Sequence, residues 1–162
     1  QPSECSGTRL ESHGKFYKWN TTAAWATTGD VNSTDWNAVI ATGSEWTKDN
    51  DPCPNGFRVP KKEEFDALIA ACTATYSGAW SESDYGYLTL TDNTSGAKLQ
   101  FPAVGCRYYS SGALENAGMD GRYWSSTQGD SSRSYRMYFS NGNMFTDWNY
   151  KQYGYTIRCV HE

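Results

Sequence analysis

Apolar positions recur at helical spacing in one segment. In "PKKEEFDALIAAC", Phe65, Leu68, Ile69 and Cys72 fall at i, i+3, i+4 and i+7 and form a single stripe. Pro60 stands at its start. Glu63 and Glu64 lie in the first turn, where the helix dipole favours carboxylates. The spacing predicts a helix there, with Cys72 read as a small buried hydrophobe in preference to a nucleophile. A weaker helical pattern runs through "DVNSTDWNAVIATG", with Trp36, Val39 and Ile40 on one side.

After Tyr85 the pattern changes to short strands. "YLTLT" and "AKLQFPAV" alternate around the turn "DNTSG", a hairpin signal. "YRMYFS", "NMFTDW" and "YTIRCV" follow, separated by "NGN" and "YKQYG". The stretch "GCRYYSSGALENAGMDGRYW" is Gly-rich, has no period of its own and reads as a loop. Helices first and an antiparallel meander afterwards make the class α+β. No linker and no internal repeat interrupts residues 1–162, which read as a single domain.

Composition sharpens this picture. Only 38% of residues are hydrophobic, and 7 Trp, 12 Tyr and 6 Phe supply much of that share, so the core is expected to be aromatic. A net charge of −4 supplies no cationic patch and argues against a nucleic-acid binder. No apolar run approaches the ~18 residues of a membrane span. The opening "QPSECSG" has neither a charged n-region nor an apolar h-region, so any export signal is expected to lie outside this chain.

The cysteines are Cys5, Cys53, Cys72, Cys106 and Cys159, without CxxC or Cys/His spacing; with only His13 and His161 as histidines, a zinc site is not expected. Disulfides and buried thiols remain the alternatives. Cys53 sits in the turn "DPCPNG" and Cys159 ends a strand-like run, which favours a Cys53–Cys159 bridge and an oxidising compartment.

Three stretches are specific: "NDPCPNGFRVPKKEEFDALI", "LQFPAVGCRYYSSGALENAGMDGRYWSST" and the closing "YGYTIRCV". Together, over roughly residues 49 to 160, they resemble the Fibrobacter succinogenes major paralogous domain family, abundant in exported proteins of gut Bacteroides-type bacteria and their phages. That family is similar to the C-type lectin fold, in the branch shared with formylglycine-generating enzymes. The resemblance implies a small twisted antiparallel sheet, two flanking helices and paired N- and C-terminal strands. It also supports Cys53 and Cys159 as partners. The chain departs from the family at Lys61, where a Thr helix cap is usual, and at Cys106, where an aromatic is common. The pairing of Cys5, Cys72 and Cys106 stays open.

The C-terminal segment further resembles the variable proteins of diversity-generating retroelements, in which adenine-directed mutagenesis of Asn codons scatters substitutions over one exposed face. Residues that such codons can yield cluster at Asp130, Ser131, Ser132, Arg133, Tyr135, Arg136 and Tyr138, and again at Phe145, Asp147, Asn149, Tyr150 and Tyr153. Trp124, Met137, Met144, Trp148 and Lys151, which they cannot yield, would be fixed framework. Alternation along "SYRMYF" puts Tyr135, Met137 and Phe139 on one face and Arg136 and Tyr138 on the other. If Met137 and Phe139 pack with Trp124, Arg136 and Tyr138 face outward. An aromatic core is the plainer account of so many tyrosines. A binding surface is the sharper one, because Tyr gives rigid amphipathic area while Ser, Gly and Arg adapt around it.

The resemblance therefore implies a non-catalytic display domain for a protein or glycan on a target surface. It would be extracellular, on a cell surface or phage particle, tethered to a larger assembly and inserted in no membrane. A structural or adhesin-tip module and a glycan-binding lectin are the alternatives. Calcium would need several convergent carboxylates, and Asp147 and Asn149 have no second acidic cluster beside them, so no metal or other cofactor is expected. Catalysis is not expected either, since His13 and His161 have no Ser or Cys partner that spacing could suggest.

Overall fold

The alternating C-terminal run builds the longest strands of the described residues: β7 (Asp120–Gln128), β8 (Arg133–Ser140) and β9 (Asn143–Tyr150), paired antiparallel in that order. The computed structural model describes residues 13–162. Ahead of this sheet come α1 (Ser33–Ala38), a 3-10 turn (Lys48–Asn50), β1 (Phe57–Arg58) and α2 (Lys62–Ala71). A second antiparallel sheet joins β2 (Cys72–Ser77), β3 (Tyr87–Asp92) and β4 (Lys98–Pro102), with Leu88 opposite Phe101 and Leu90 opposite Leu99. Two short strands, β5 (Cys106–Arg107) and β6 (Leu114–Glu115), pair within the Gly-rich stretch. The chain is thus mostly β-sheet with few helices. Among the described residues no helix is long and apolar enough to cross a membrane.

The predicted helices form, with corrections. α2 carries Phe65 into the core, and Glu64, at the third helical position, accepts the N-cap Lys61 backbone N–H at 2.7 Å, the half of a capping box that does not need a Thr at the cap. Cys72 opens β2 instead of closing the helix stripe, and it is a half-buried free thiol, not a buried one. The strand was hidden because its first residue also completes the helical period. α1 is only six residues: Asn32 caps it by accepting from the amides of Thr34 and Asp35, and the chain is already extended at Val39. Trp36 is buried, whereas Ile40 is exposed.

The main core lies between the two sheets and under α2, built from Phe65, Leu88, Leu90, Phe101, Tyr123, Met137 and Phe139. Gly121 stands opposite Phe139, and a Cβ there would fall 2.1 Å from its ring, so the strand needs glycine at that point. Trp124, which follows Tyr123 on β7, points the other way. Contrary to the packing expected from the sequence, it leaves Met137 and Phe139 to Tyr123 and joins Trp19, Cys106 and Tyr155 in a second cluster on the opposite face. The sheet is therefore covered on both faces over much of its area.

Loops on this second side are held by buried cations. Lys18 Nζ donates to the carbonyls of Trp36 and Val39 at 2.8 and 2.7 Å. The Arg107 guanidinium reaches the carbonyls of Ala26, Thr28 and Gly112. Lys151 Nζ donates to the carbonyls of Gly43 and Ser131 and to Gln128 Oε1. Burial pulls the Lys18 ammonium down to about 8.

The chain closes on itself at two places. The last strand, β10 (Val160–His161), pairs with β1, while the N-terminal side contributes a bridge between Tyr17 and Tyr155. The expected pairing of terminal strands is thus divided between an internal strand and this bridge. The Cys53–Cys159 disulfide joins residues 106 apart across the β1–β10 seam, with Cα atoms 5.8 Å apart. Cys106 is a free thiol, and Cys5 lies outside the described residues.

Two predictions follow from these contacts. Replacing Cys53 and Cys159 together by Ser is expected to lower unfolding free energy by about 2–5 kcal/mol, read from urea denaturation with and without reductant. His13, buried and stacked on Tyr85 at 4.8 Å, has its imidazole pulled down to about 4 by burial. Its folded pKa lies below the unfolded value of 6.5, so its contribution is full above pH about 6.5 and is lost as the pH falls through about 4. Glu64, held at about 2 chiefly by its hydrogen bond to Arg58, contributes fully above about pH 4.5 and loses that contribution as the pH falls through about 2. Thermal melts between pH 7 and 4 should fall steeply in the native chain and flatten in His13→Phe.

Candidate binding surface

On the face of the β7–β8–β9 sheet away from α2, register sets two rows of side chains. Trp124, Arg136 and Asp147 are opposite one another, as are Arg122, Tyr138 and Phe145. Arg136 grips Asp147 with both sides of its guanidinium, Nε to Oδ1 at 2.8 Å and Nη2 to Oδ2 at 3.2 Å, and donates through Nη1 to the Tyr155 hydroxyl at 3.0 Å. Arg122 holds Asp120 in the same way and donates to Cys106 Sγ at 3.1 Å. Burial pushes the Cys106 thiol up to about 12, so it stays protonated at neutral pH.

Arg136 is only 7% exposed, a correction to its expected outward position. Alternation does turn it away from the core of Met137 and Phe139, but a second packed layer receives it there. Both guanidiniums lie within 6.0 Å of the Tyr138 and Tyr155 rings. Tyr138 covers them half-buried, and Phe145 leans on it at 5.0 Å and is exposed.

At the end of the sheet four tyrosines meet. Tyr109 lies 4.5 Å from Tyr108, 5.3 Å from Tyr153 and 5.7 Å from Tyr150, centroid to centroid. Tyr153 stacks in turn on the buried Tyr155 at 5.5 Å. The hydrogen bond with Tyr109 is the main reason that the Tyr108 phenol is pushed up to about 12. Tyr109 and Tyr150 rise over a groove of about 450 Å³ whose other walls are Ser131, Ser132, Lys151, Gln152 and Ala41. Gln152 is fixed in that floor, its amide exchanging two hydrogen bonds with the Ala41 backbone. The 130–133 turn is also fixed. Asp130 accepts from the amides of Ser132 and Arg133 and is ion-paired to the Arg133 guanidinium, which holds its carboxyl well below the usual range.

The α2 side of β9 carries a separate aromatic pair. Tyr135 stacks on Trp148 at 6.0 Å, Arg133 lies over Trp148 at 4.1 Å, and Lys62 over Tyr135 at 5.3 Å.

The twelve residues singled out from the sequence therefore do not form one patch. Ser131, Ser132 and Tyr150 line the groove and Tyr153 adjoins it. Tyr138, Phe145, Asp147 and Asn149 lie on the sheet face away from α2, with Arg136 beneath them. Tyr135 lies on the opposite face, and Asp130 and Arg133 brace the turn. Asp147, the carboxylate considered for calcium, is committed to Arg136. Of the expected framework, Trp124, Met137 and Lys151 are buried, whereas Trp148 is 41% exposed. Sequence reasoning missed Tyr108, Tyr109 and Gln152. The adjacent tyrosines of "CRYYSSG" had the same Tyr/Ser/Gly signature as the C-terminal segment and could have been found by it.

The Fibrobacter succinogenes major domain matches residues 3–161, and the chain belongs to that family. Comparison with curated proteins and with solved structures returned no match.

Buried and exposed members of this region should separate experimentally. Arg136→Leu leaves the buried Tyr155 hydroxyl without its partner and the Asp147 carboxylate, about a third exposed, to water, and is expected to cost about 1–3 kcal/mol, the range for an unsatisfied buried polar group. Tyr150→Ser, at a half-exposed ring, should change stability by about 0.5 kcal/mol. Urea denaturation of the two variants measures the contrast.

Proposed function

We propose that this chain is a non-catalytic ligand-binding domain acting outside the cytoplasm, and that its contact surface is the tyrosine-walled groove with the adjoining sheet face. The single observation behind this reading is the rim of Tyr109 and Tyr150 above Ser131 and Ser132, carried on a scaffold whose charges are already paired. Rigid aromatic rings lose little entropy on binding, and hydroxyls beside them adapt to polar groups. The Cys53–Cys159 disulfide supports an oxidising, extracellular setting on a cell surface or phage particle.

Within this reading the domain is C-type lectin-like, as family resemblance implies, and its ligand is a protein or glycan on a target surface. Retroelement diversification is part of the same proposal. Its variable positions would be Ser131, Ser132, Tyr138, Phe145, Asn149, Tyr150 and Tyr153, while the Arg136–Asp147 pair is too deeply tied into the fold to vary freely. A template copy of the Tyr123–Val160 coding segment, differing at adenines beside a reverse transcriptase gene, is the genomic counterpart of this claim.

The test replaces Tyr109, Tyr150 and Tyr153 together by Ser and compares binding of labelled domain to a glycan array and to intact gut-bacterial cells. Hot-spot aromatics contribute about 2 kcal/mol or more, so binding, measured well below the variant's own melting temperature because Tyr153 also packs on the buried Tyr155, should weaken by roughly 30-fold or more. Equal binding by native and triple-Ser chains would overturn the reading.

A further inference from the structure

The outer edge of β9 is the last strand position of its sheet, and among the described residues no other strand pairs with it. Its chemistry can be read from the ladder on its other side. The Lys151 amide donates to the Ser132 carbonyl at 2.9 Å, which makes that pair a hydrogen-bonded one. Alternation in an antiparallel ladder then directs the backbone groups of Asn143, Phe145, Asp147 and Asn149 toward β8. Those of Met144, Thr146 and Trp148 point away. Tyr150 agrees with this phase: its amide bonds its neighbour Asn149 Oδ1 and its carbonyl accepts from Tyr153, neither of them on β8.

Natural edge strands are usually guarded by Pro, Lys, bulges or brevity. β9 has none of these guards: it runs eight residues in unbroken register, contains neither Pro nor Lys, and carries Phe145, Trp148 and Tyr150 at 38%, 41% and 50% exposure. Six outward backbone groups in a straight row specify an extended polypeptide as their occupant.

We propose that this occupant is a second copy of the chain, pairing β9 with β9 about a two-fold axis at Thr146. The register follows from the phase derived above. Only Met144, Thr146 and Trp148 offer outward groups, so Thr146 stands opposite Thr146 of the other copy and Met144 opposite Trp148, and every outward donor and acceptor in that row finds a partner. The side chains are self-complementary in this register. Thr146 already donates its hydroxyl to Asp66 Oδ1 at 2.6 Å, so only its methyl and the oxygen lone pairs remain for the Thr–Thr contact. A methionine sulfur against an indole is a favourable cross-strand contact, and both fall on the α2 side. On the other side Phe145 meets Asp147, whose charge Arg136 already neutralises. The product is a continuous six-stranded sheet displaying two copies of the tyrosine surface, a geometry suited to avidity. The dimer itself does not depend on what that surface binds.

Sedimentation velocity of the native chain across a concentration series should show a doubling of sedimenting mass. T146P removes an outward N–H without breaking the β8 ladder, as proline is tolerated at edges, but it also removes the Thr146 hydroxyl from Asp66. T146V, which loses only the hydroxyl, is therefore its control, and T146P should sediment as a monomer while T146V stays dimeric. With Cys5 and Cys72 replaced by Ser, T146C should form a covalent dimer under mild oxidation, because Cα atoms of a hydrogen-bonded antiparallel pair lie about 5.5 Å apart, within disulfide reach. M144C, facing Trp148, should not crosslink. A native chain that remains monomeric at every concentration overturns the proposal, and so does equal crosslinking of T146C and M144C, which would mean unspecific association. Should T146P fail to fold, the crosslinking pair decides by itself.

Discussion

A three-stranded sheet that must be packed on both faces governs this molecule. On one face the solution is ordinary: Tyr123, Met137 and Phe139 meet α2 and the β2–β3–β4 sheet in a core of aromatic and aliphatic side chains. On the other face few aliphatic residues are available. Trp124, Tyr155 and Trp19 fill the space, and the polar residues that alternation sends there are matched among themselves, Arg136 with Asp147 and Tyr155, and Arg122 with Asp120. Buried charges are tolerable only when paired and hydrogen-bonded, and bidentate geometry meets that demand.

The same shortage of apolar residues explains how the long N-terminal segment is held. Loops carry carbonyl groups that no strand satisfies, and burying them without donors is costly. Lys18, Arg107 and Lys151 each bring a cation to two or three such oxygens. Each ties together segments that are distant in sequence. The buried indoles follow the same rule: Trp19, Trp36 and Trp124 all donate Nε1–H to a backbone carbonyl. Cations and indoles here do the work that aliphatic packing does in a larger core.

This internal closure is what leaves the tyrosine surface free for another role. With Arg136, Arg122, Arg133 and Lys151 all committed, the rim of the groove consists of rings and hydroxyls standing on rigid supports. Substitution at the rim disturbs little, whereas substitution one layer down removes a partner from a buried charge. The boundary between scaffold and surface runs between adjacent residues of the same strand.

Local order was legible from the chain. The stripe of Phe65, Leu68 and Ile69 announced α2, the hairpin around "DNTSG" announced β3 and β4, and alternation in "SYRMYF" placed Met137 and Phe139 inward. The Cys53–Cys159 bridge followed from a turn and a strand end, and the family from three contiguous motifs. These features depend on neighbours in sequence, which periodicity and local chemistry record. What the far face of a strand meets does not. Alternation could say that Arg136 points away from Met137, but whether water or a second layer waits there depends on Tyr155 and on the Trp19 segment that packs with it from the far end of the chain. Only the tertiary structure brought Trp19 and Tyr155 to that face, split the candidate tyrosines between two sides of β8, and carried Tyr108 and Tyr109 from a patternless loop to the rim of the groove.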